Sequence, residues 1–470
     1  MRIVIGGAGR VGIELARALR DEEYDVVIMD QDSRAVSNAQ GLDCLVIHGD
    51  MTSREKLIEA GIVEASVFVA ATPSDEHNLI ACSLAAHAHS SGESKHPMTS
   101  ICRLQNQDYI MEYKNGNLKN WAKVDYVVNP LAGAIQRLNA GLRSTDIEEV
   151  IPFGDEAYVI ELEIGETAHT VTNRTLAELA EDMVHGMPEV VGLKRNTLRS
   201  IIPTGETTLE KGDKIAVATI GLESFNPALI MFGHEITYFP EVPKVAVIGA
   251  TTIGTQMAEE WLNSGGRVTV LERDLNLANK IAGSRIGAHP MLEIIHGDHL
   301  DREIRTEVGI ETHDVAVSAL DNDHENIAAV LLASDMGVSR TGLMLYDADL
   351  VKVTQRMGIS FAVDRRRVAV DNILTHIHQK LSGHFALLSG IPNIVGMTFE
   401  VTEKAKFAGK TVAEAQFPDF LKLAFIKRQN LSGTWETTKP TDDHLLLEND
   451  LVILFCHQDK ISDAEKRFRV

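Results

Sequence analysis

The chain has 470 residues, enough for two to four domains, with 44% hydrophobic and 24% charged residues, the balance of a globular protein. Its 67 acidic residues outnumber 45 basic ones, for a net charge of −22. That charge speaks against nucleic acid as a partner and against direct adsorption to anionic lipid, since both need clustered positive charge; it reads as a solubility device. Met1 leads almost directly into an apolar strand, so no signal peptide is expected, and no apolar run approaches the ~18 residues of a bilayer span. Cys44, Cys82, Cys102 and Cys456 are scattered without a C-x-x-C pair and are expected to be reduced core residues of a cytoplasmic protein.

From the start of the chain, strands are predicted at Ile3–Ile5, Val26–Met29, Leu45–Ile47, Val67–Ala70, Ser100–Arg103 and Tyr126–Val128. Helical patterns separate them, the clearest placing Val11, Leu15, Ala18 and Leu19 on one face. Near-continuous apolar strands alternating with helices predict a doubly wound parallel sheet. A further helix, about Leu131–Leu142, is of a kind that crosses over to a partner subunit.

The texture then changes. Ile160, Leu162 and Ile164 alternate with Glu161 and Glu163, which predicts a half-buried strand, and short strands follow at Val190–Leu193 and Lys214–Ala218, the last after the turn-like Glu210–Asp213. This is a small α+β module, and the Pro-containing link Gly233–Pro243 follows it. The order then repeats: strands at Val245–Ile248, Val268–Leu271, Glu293–Ile295, Val315–Ala319, Gly342–Leu345 and Ser360–Val363, then a second small module from near His384. In that module Met397, Phe399 and Val401 alternate, and Leu447–Asp450 precedes the apolar Leu451–Phe455. The fold class expected is α/β: tandem Rossmann-like doubly wound parallel sheets, each followed by a small α+β domain. The expected domains are 1–145, 146–232, 243–383 and 384–470, and the loop Ser90–Pro97 is the one low-complexity tract.

The duplication is visible residue by residue. Gly7 and Gly249 open two glycine loops 242 residues apart, and the acidic residues ending each second strand, Asp30 and Glu272, keep that spacing. In the first half Gly7, Ala8, Gly9, Arg10, Val11 and Gly12 fit G-x-G-x-x-G between a strand and a helix. Gly7 permits the tight turn, Gly9 lets the backbone approach a pyrophosphate, and Gly12 lets helix pack on strand. The helix N-terminus then offers free N–H groups to phosphate. Asp30 stands where a carboxylate grips ribose hydroxyls and repels a 2′-phosphate, which favours NAD over NADP. Asp50 and Thr72 follow the third and fourth strands; they border the adenine side of the pocket or serve as turn residues. Arg10 and Arg103 either meet phosphate oxygens or form surface ion pairs.

The second half departs from this pattern. Thr251 replaces Gly9, Thr252 replaces Arg10 and Met344 replaces Arg103, while Glu272 and Asp298 remain. A Cβ at Thr251 crowds the path of a pyrophosphate and no cation is left for it, so this pocket is expected to be weakened or structural. His87 with His89, and His376 with His378, lie two apart on helices and do not share a face for a metal. There is no G-x-S-x-G, H-E-x-x-H or lysine P-loop, and no catalytic constellation beside the glycine loop, so no enzyme activity is expected.

With these residues in view the chain resembles the TrkA family, cytoplasmic regulatory subunits of Trk potassium uptake systems built from two RCK units. The resemblance spans nearly the whole chain and rests on Gly7–Gly12, Asp30, His48–Asp50, the block Thr72–Asn78, Asn129-Pro130 and, in the second half, Glu272, His296–Asp298 and Asp323–Asn326. It implies NAD(H) and ATP or ADP as ligands, assembly into a ring that four such chains complete as a homotetramer, and docking at the inner face of the cell membrane beneath a potassium-translocating subunit. The alternatives are an NAD-dependent oxidoreductase and an RCK-type regulator of another cation channel or antiporter.

Overall fold

The computed structural model describes residues 1–92, 96–144, 146–154, 156–182, 187–236, 238–378, 385–403, 405, 407–430 and 432–468. The expected domain limits at 145, 383, 384 and 470, and residues 93–95 of the Ser90–Pro97 loop, lie outside the described residues.

In the first half six parallel strands, Arg2–Gly6, Asp25–Asp30, Leu45–His48, Val67–Ala70, Thr99–Arg103 and Tyr126–Val128, lie in the spatial order third, second, first, fourth, fifth, sixth. Ile3, Val4, Ile5 and Val26–Met29 are buried on both faces, as parallel strands covered by helices must be. The helix Arg10–Asp21 buries Val11, Leu15, Ala18 and Leu19. Asp32, Ser53, Ser74 and Asn106 cap the N-termini of later helices with their side chains, which fixes where the chain turns from loop to helix. The strand order reverses between the first and fourth strands, and that opens a crevice at their carboxyl ends.

The second half repeats the order with Lys244–Ile248, Arg267–Glu272, Leu292–His296, Val315–Ser318, Arg340–Leu345 and Phe361–Asp364. The small modules are antiparallel. Glu149–Pro152, Ala157–Glu163, Lys214–Ile220 and Glu189–Lys194 adjoin in that order, as do Ile394–Glu400, Leu451–His457, Leu421–Gln429 and Trp435–Thr438. The strands at 149–152, 421–429 and 435–438 are not among those read from sequence. Leu421–Gln429 carries Lys422, Lys427 and Arg428 inside an apolar run, which blurs its period.

Three expectations are corrected. Ala157–Glu163 is not half-buried: Glu161 is 2% exposed and accepts a hydrogen bond from the Gly390 N–H at 2.6 Å, because a segment of the other small module covers that face. Cys82, Cys102 and Cys456 are buried free thiols, but Cys44 is only half-buried, because it lies in the turn ahead of a strand. The crossover helix, expected at a partner subunit, has Leu138 and Leu142 against Gly342 in the second half of the same chain.

The chain packs as two compact units, Met1–Gly133 with Arg366–Ala386, and Ala134–Arg365 with Leu387–Val470. The helix Pro130–Gly141 passes from the first unit into the second. There a Cβ on Gly141 would meet the Phe361 ring at 2.5 Å, and one on Gly342 would meet Leu142 at 2.8 Å, so glycine sets these close approaches. In the first unit the helix Arg365–Ile377 reciprocates: His376 stacks on Tyr126 at 4.5 Å, and His378 lies 3.1 Å from the Glu22 carboxylate.

Candidate functional site

The first glycine loop is built as its residues require. Gly7 has φ +112°, a conformation that a side chain disfavours, and its N–H donates to the Met29 carbonyl at 2.8 Å. A Cβ on Gly12 would lie 1.9 Å from the Gly7 carbonyl oxygen, so helix and turn touch only because both are glycine. Gly9 is different. Its φ of −72° and ψ of −174° suit any residue, and a Cβ there would meet nothing within 4 Å. The fold does not need glycine at this position; glycine keeps the space over the helix N-terminus empty. No side chain caps that terminus, so its leading N–H groups are available to an anion.

Asp30 is fixed rather than loose. One carboxylate oxygen accepts from the Ala8 N–H at 2.7 Å and the other from the Asp32 N–H at 2.8 Å. A pocket of about 270 Å³ opens beside it, lined by Gly7, Met29, Asp30, Gln31, Met51, Thr72, Pro73, Ser74 and His77. Gly7, Asp30 and Thr72 are thus brought together as the sequence implied. Thr72 is held by Asn78, a fully buried side chain that accepts from the Thr72 hydroxyl at 2.6 Å and N–H at 3.0 Å. The Asn78 amide donates in turn to the carbonyls of Thr72 and Arg103, each at 2.9 Å, locking two strand ends to one helix.

Ala8 and Val11 are buried beside the turn. Asp50 is set back from the lining. Its carboxylate accepts from the Thr52 N–H and hydroxyl, both at 2.8 Å, and from His77 Nε2 at 2.9 Å. Burial raises its pKa, but the Thr52 and His77 hydrogen bonds outweigh that and hold the carboxyl below its ordinary range. Arg10 is exposed and Arg103 half-buried, and neither lines the pocket. Sequence reading missed His77, Met29 and Met51 as lining residues. His77 lies in the Thr72–Asn78 block, but only the fold shows it facing the third strand's loop.

The second half keeps the frame and fills the space. Gly249 has φ +103°, and Glu272 accepts from the Ala250 N–H at 2.5 Å and the Asp274 N–H at 2.7 Å, as Asp30 does in the first half. Thr251 has nearly the backbone of Gly9, φ −61° and ψ 174°, but its hydroxyl accepts from the Gly254 N–H at 3.3 Å and donates to the Ala319 carbonyl at 2.6 Å. The helix caps itself. Leu320 replaces Thr72 and comes within 2.9 Å of where a Gly249 Cβ would be. His299 replaces Met51 at 1% exposure, and burial pushes its imidazole pKa down. Asp298 is exposed and accepts from the Leu300 N–H at 2.9 Å, a turn contact. Met344 is buried; Arg365, just after the sixth strand, has its guanidinium 4.0 Å from the Tyr346 ring centre. The obstacle expected at Thr251 is therefore a hydrogen-bonded cap backed by an apolar plug.

The TrkA-N domain model matches residues 3–130 and again 245–364, more than half of the chain. The chain belongs to the TrkA-N family. The TrkA-C domain model matches residues 397–469, the second small module. The TrkA-N relatives share its whole length: a Trk system potassium uptake protein TrkA of Azorhizobium caulinodans is 26% identical over 100% of this chain and 99% of its own. A TrkA homolog of Archaeoglobus fulgidus is 25% identical over all of both chains. Among solved structures, the GsuK RCK domain superposes with a TM-score of 0.53 at 18% identity, covering 99% of this chain and 94% of that one. The GsuK channel bound to NAD gives 0.53 at 17%, covering 99% and 78%. These superpositions establish the shared fold of the TrkA-N halves.

Proposed function

We propose that this chain is a non-enzymatic, nucleotide-binding regulatory subunit of a Trk-type potassium uptake system. It comprises four domains near residues 1–145, 146–232, 243–383 and 384–470. The uncapped helix N-terminus over Gly9, with Asp30 pinned at 2.7 Å to Ala8 beside the pocket, carries the reading. Gly7, Gly9 and the first-turn N–H groups receive the phosphates of NAD(H), or of ATP or ADP, and Asp30 takes the ribose hydroxyls. Arg10 and Arg103 supply positive charge at the rim. Asp50 acts through His77, which it orients, and Thr72 borders the base. In the second half Glu272 and Asp298 keep a related frame around a closed pocket.

Relatives that match from end to end are named as potassium uptake proteins, which supports the Trk assignment. Among the described residues no helix is long and apolar enough to cross a membrane, which supports a peripheral subunit at the cytoplasmic face. Two repeated units per chain favour a closed homotetramer. Ligand that prefers one ring conformation shifts the gating equilibrium of the attached membrane subunit. The test is potassium flux in liposomes holding a Trk-type potassium-translocating membrane subunit. Flux should depend on this subunit and change among ATP, ADP and NADH; identical flux in all cases sinks the reading.

A further inference from the structure

The two parallel sheets differ at the opposite, amino edge. In the first sheet the register partners Arg2 and Asp25 form an ion pair at 2.8 Å. In the second sheet the same register is held by Lys244 and Arg267, two cations side by side on neighbouring strands. Neither has an ion-pair partner among the described residues. Like charges opposite each other on paired strands repel. The Asp314 carboxylate accepts from the Lys244 backbone N–H at 2.8 Å but makes no ion pair with either cation among the described contacts.

Both residues border a pocket of about 310 Å³ whose lining includes Thr269, Glu293, Thr312 and His313. The pocket is organised by hydrogen bonds. His313 Nε2 lies 3.0 Å from the Thr269 hydroxyl and His313 Nδ1 lies 3.1 Å from the Gly309 carbonyl, so the ring is held between strand and loop. Glu293 is exposed at the strand position beside Thr269 and makes no ion pair with either cation among the described contacts. An anion set between Lys244 and Arg267 removes their repulsion. An arginine fork and an ammonium together match a phosphate dianion.

We propose that this pocket, at the sheet edge opposite the glycine loops, binds the phosphate group of a small phosphorylated ligand. Its volume exceeds that of the phosphate and leaves room for an attached sugar-sized group.

The full chain, with its first glycine loop saturated with NADH, is titrated into ribose 5-phosphate, and separately into inorganic phosphate, at ionic strength matched with chloride, and the 31P line width of the added phosphate is followed. Arg267→Asp rebuilds the opposite-charge register of Arg2 and Asp25, so it should keep the fold. It should weaken ribose 5-phosphate binding by about tenfold or more, the scale of one lost charge-assisted contact. NADH binding at the first glycine loop should not change. Broadening by inorganic phosphate alone would identify free phosphate as the ligand and still support the site. No broadening with the wild-type chain, or equal broadening with Arg267→Asp, overturns the proposal. If Arg267→Asp does not fold, Lys244→Gln carries the same expectations.

Discussion

The Thr251 hydroxyl donates to the Ala319 carbonyl at 2.6 Å, and the same oxygen accepts the Gly254 N–H. One side chain thereby occupies the helix terminus that the first half leaves open at Gly9. Since Gly9 and Thr251 share a backbone conformation, Gly9→Thr should install the cap without strain. We expect stability equal to wild type or higher by about 1 kcal/mol, the usual worth of an N-cap, with NADH binding abolished. Calorimetry of the wild-type chain should find about one tight dinucleotide site per chain. Two equal sites would falsify the self-capped reading of the second half.

Asp30 holds the loop through Ala8 and Asp32 while facing the pocket. Asp30→Asn keeps an acceptor but loses the charge. NADH affinity should fall by about 1–3 kcal/mol, the scale of a charged hydrogen bond, and discrimination against NADPH should narrow. Unchanged affinity for both in calorimetry would rule out the ribose role.

His376 stacks on Tyr126, and burial lowers its pKa from 6.5 to about 4. The unfolded chain therefore takes up this proton at a higher pH than the folded one. Its contribution is complete above pH 6.5 and erodes as pH falls towards 4, by about 3 kcal/mol in all. His376→Phe keeps a ring for the stack and should flatten that part of the stability profile in denaturant titrations. A profile identical to wild type between pH 6.5 and 4 would count against it.

Arg195 grips Asp213 through Nε and a terminal nitrogen, each at 2.8 Å, and Arg428 grips Asp450 the same way at 2.7 Å. Both aspartates are 1% exposed, and each also accepts an N–H of its own turn, from Glu210 and Leu447. Asp213→Ala removes the two-point grip on the Arg195 guanidinium, which keeps Glu210 as an ion-pair partner, and strips the Glu210 N–H of its acceptor; it should cost about 1–3 kcal/mol, with Asp450→Ala similar. A loss of unfolding free energy below a tenth of that in either variant, measured by denaturant titration, would show the clamp to be incidental.

The sequence by itself determined the repeat, the two parallel sheets and the glycine loop. Each of these is written in local chemistry: apolar strands such as Val26–Met29, positive-φ glycines at 7 and 249, and an acid ending each second strand. The aspartates at 213 and 450 were likewise visible as turn residues, but the arginines that grip them lie 18 and 22 residues away and show no spacing rule. Tertiary structure alone decided where the Pro130–Gly141 helix docks, since an apolar helix face does not name the surface that covers it. It also decided that Glu161 is buried, because the segment covering it lies 229 residues further on. Most consequentially, Thr251 read as a steric block and is a cap. A hydroxyl's function depends on which backbone groups lie within 3 Å, and Ala319, 68 residues away, comes that close only when the sheet has formed.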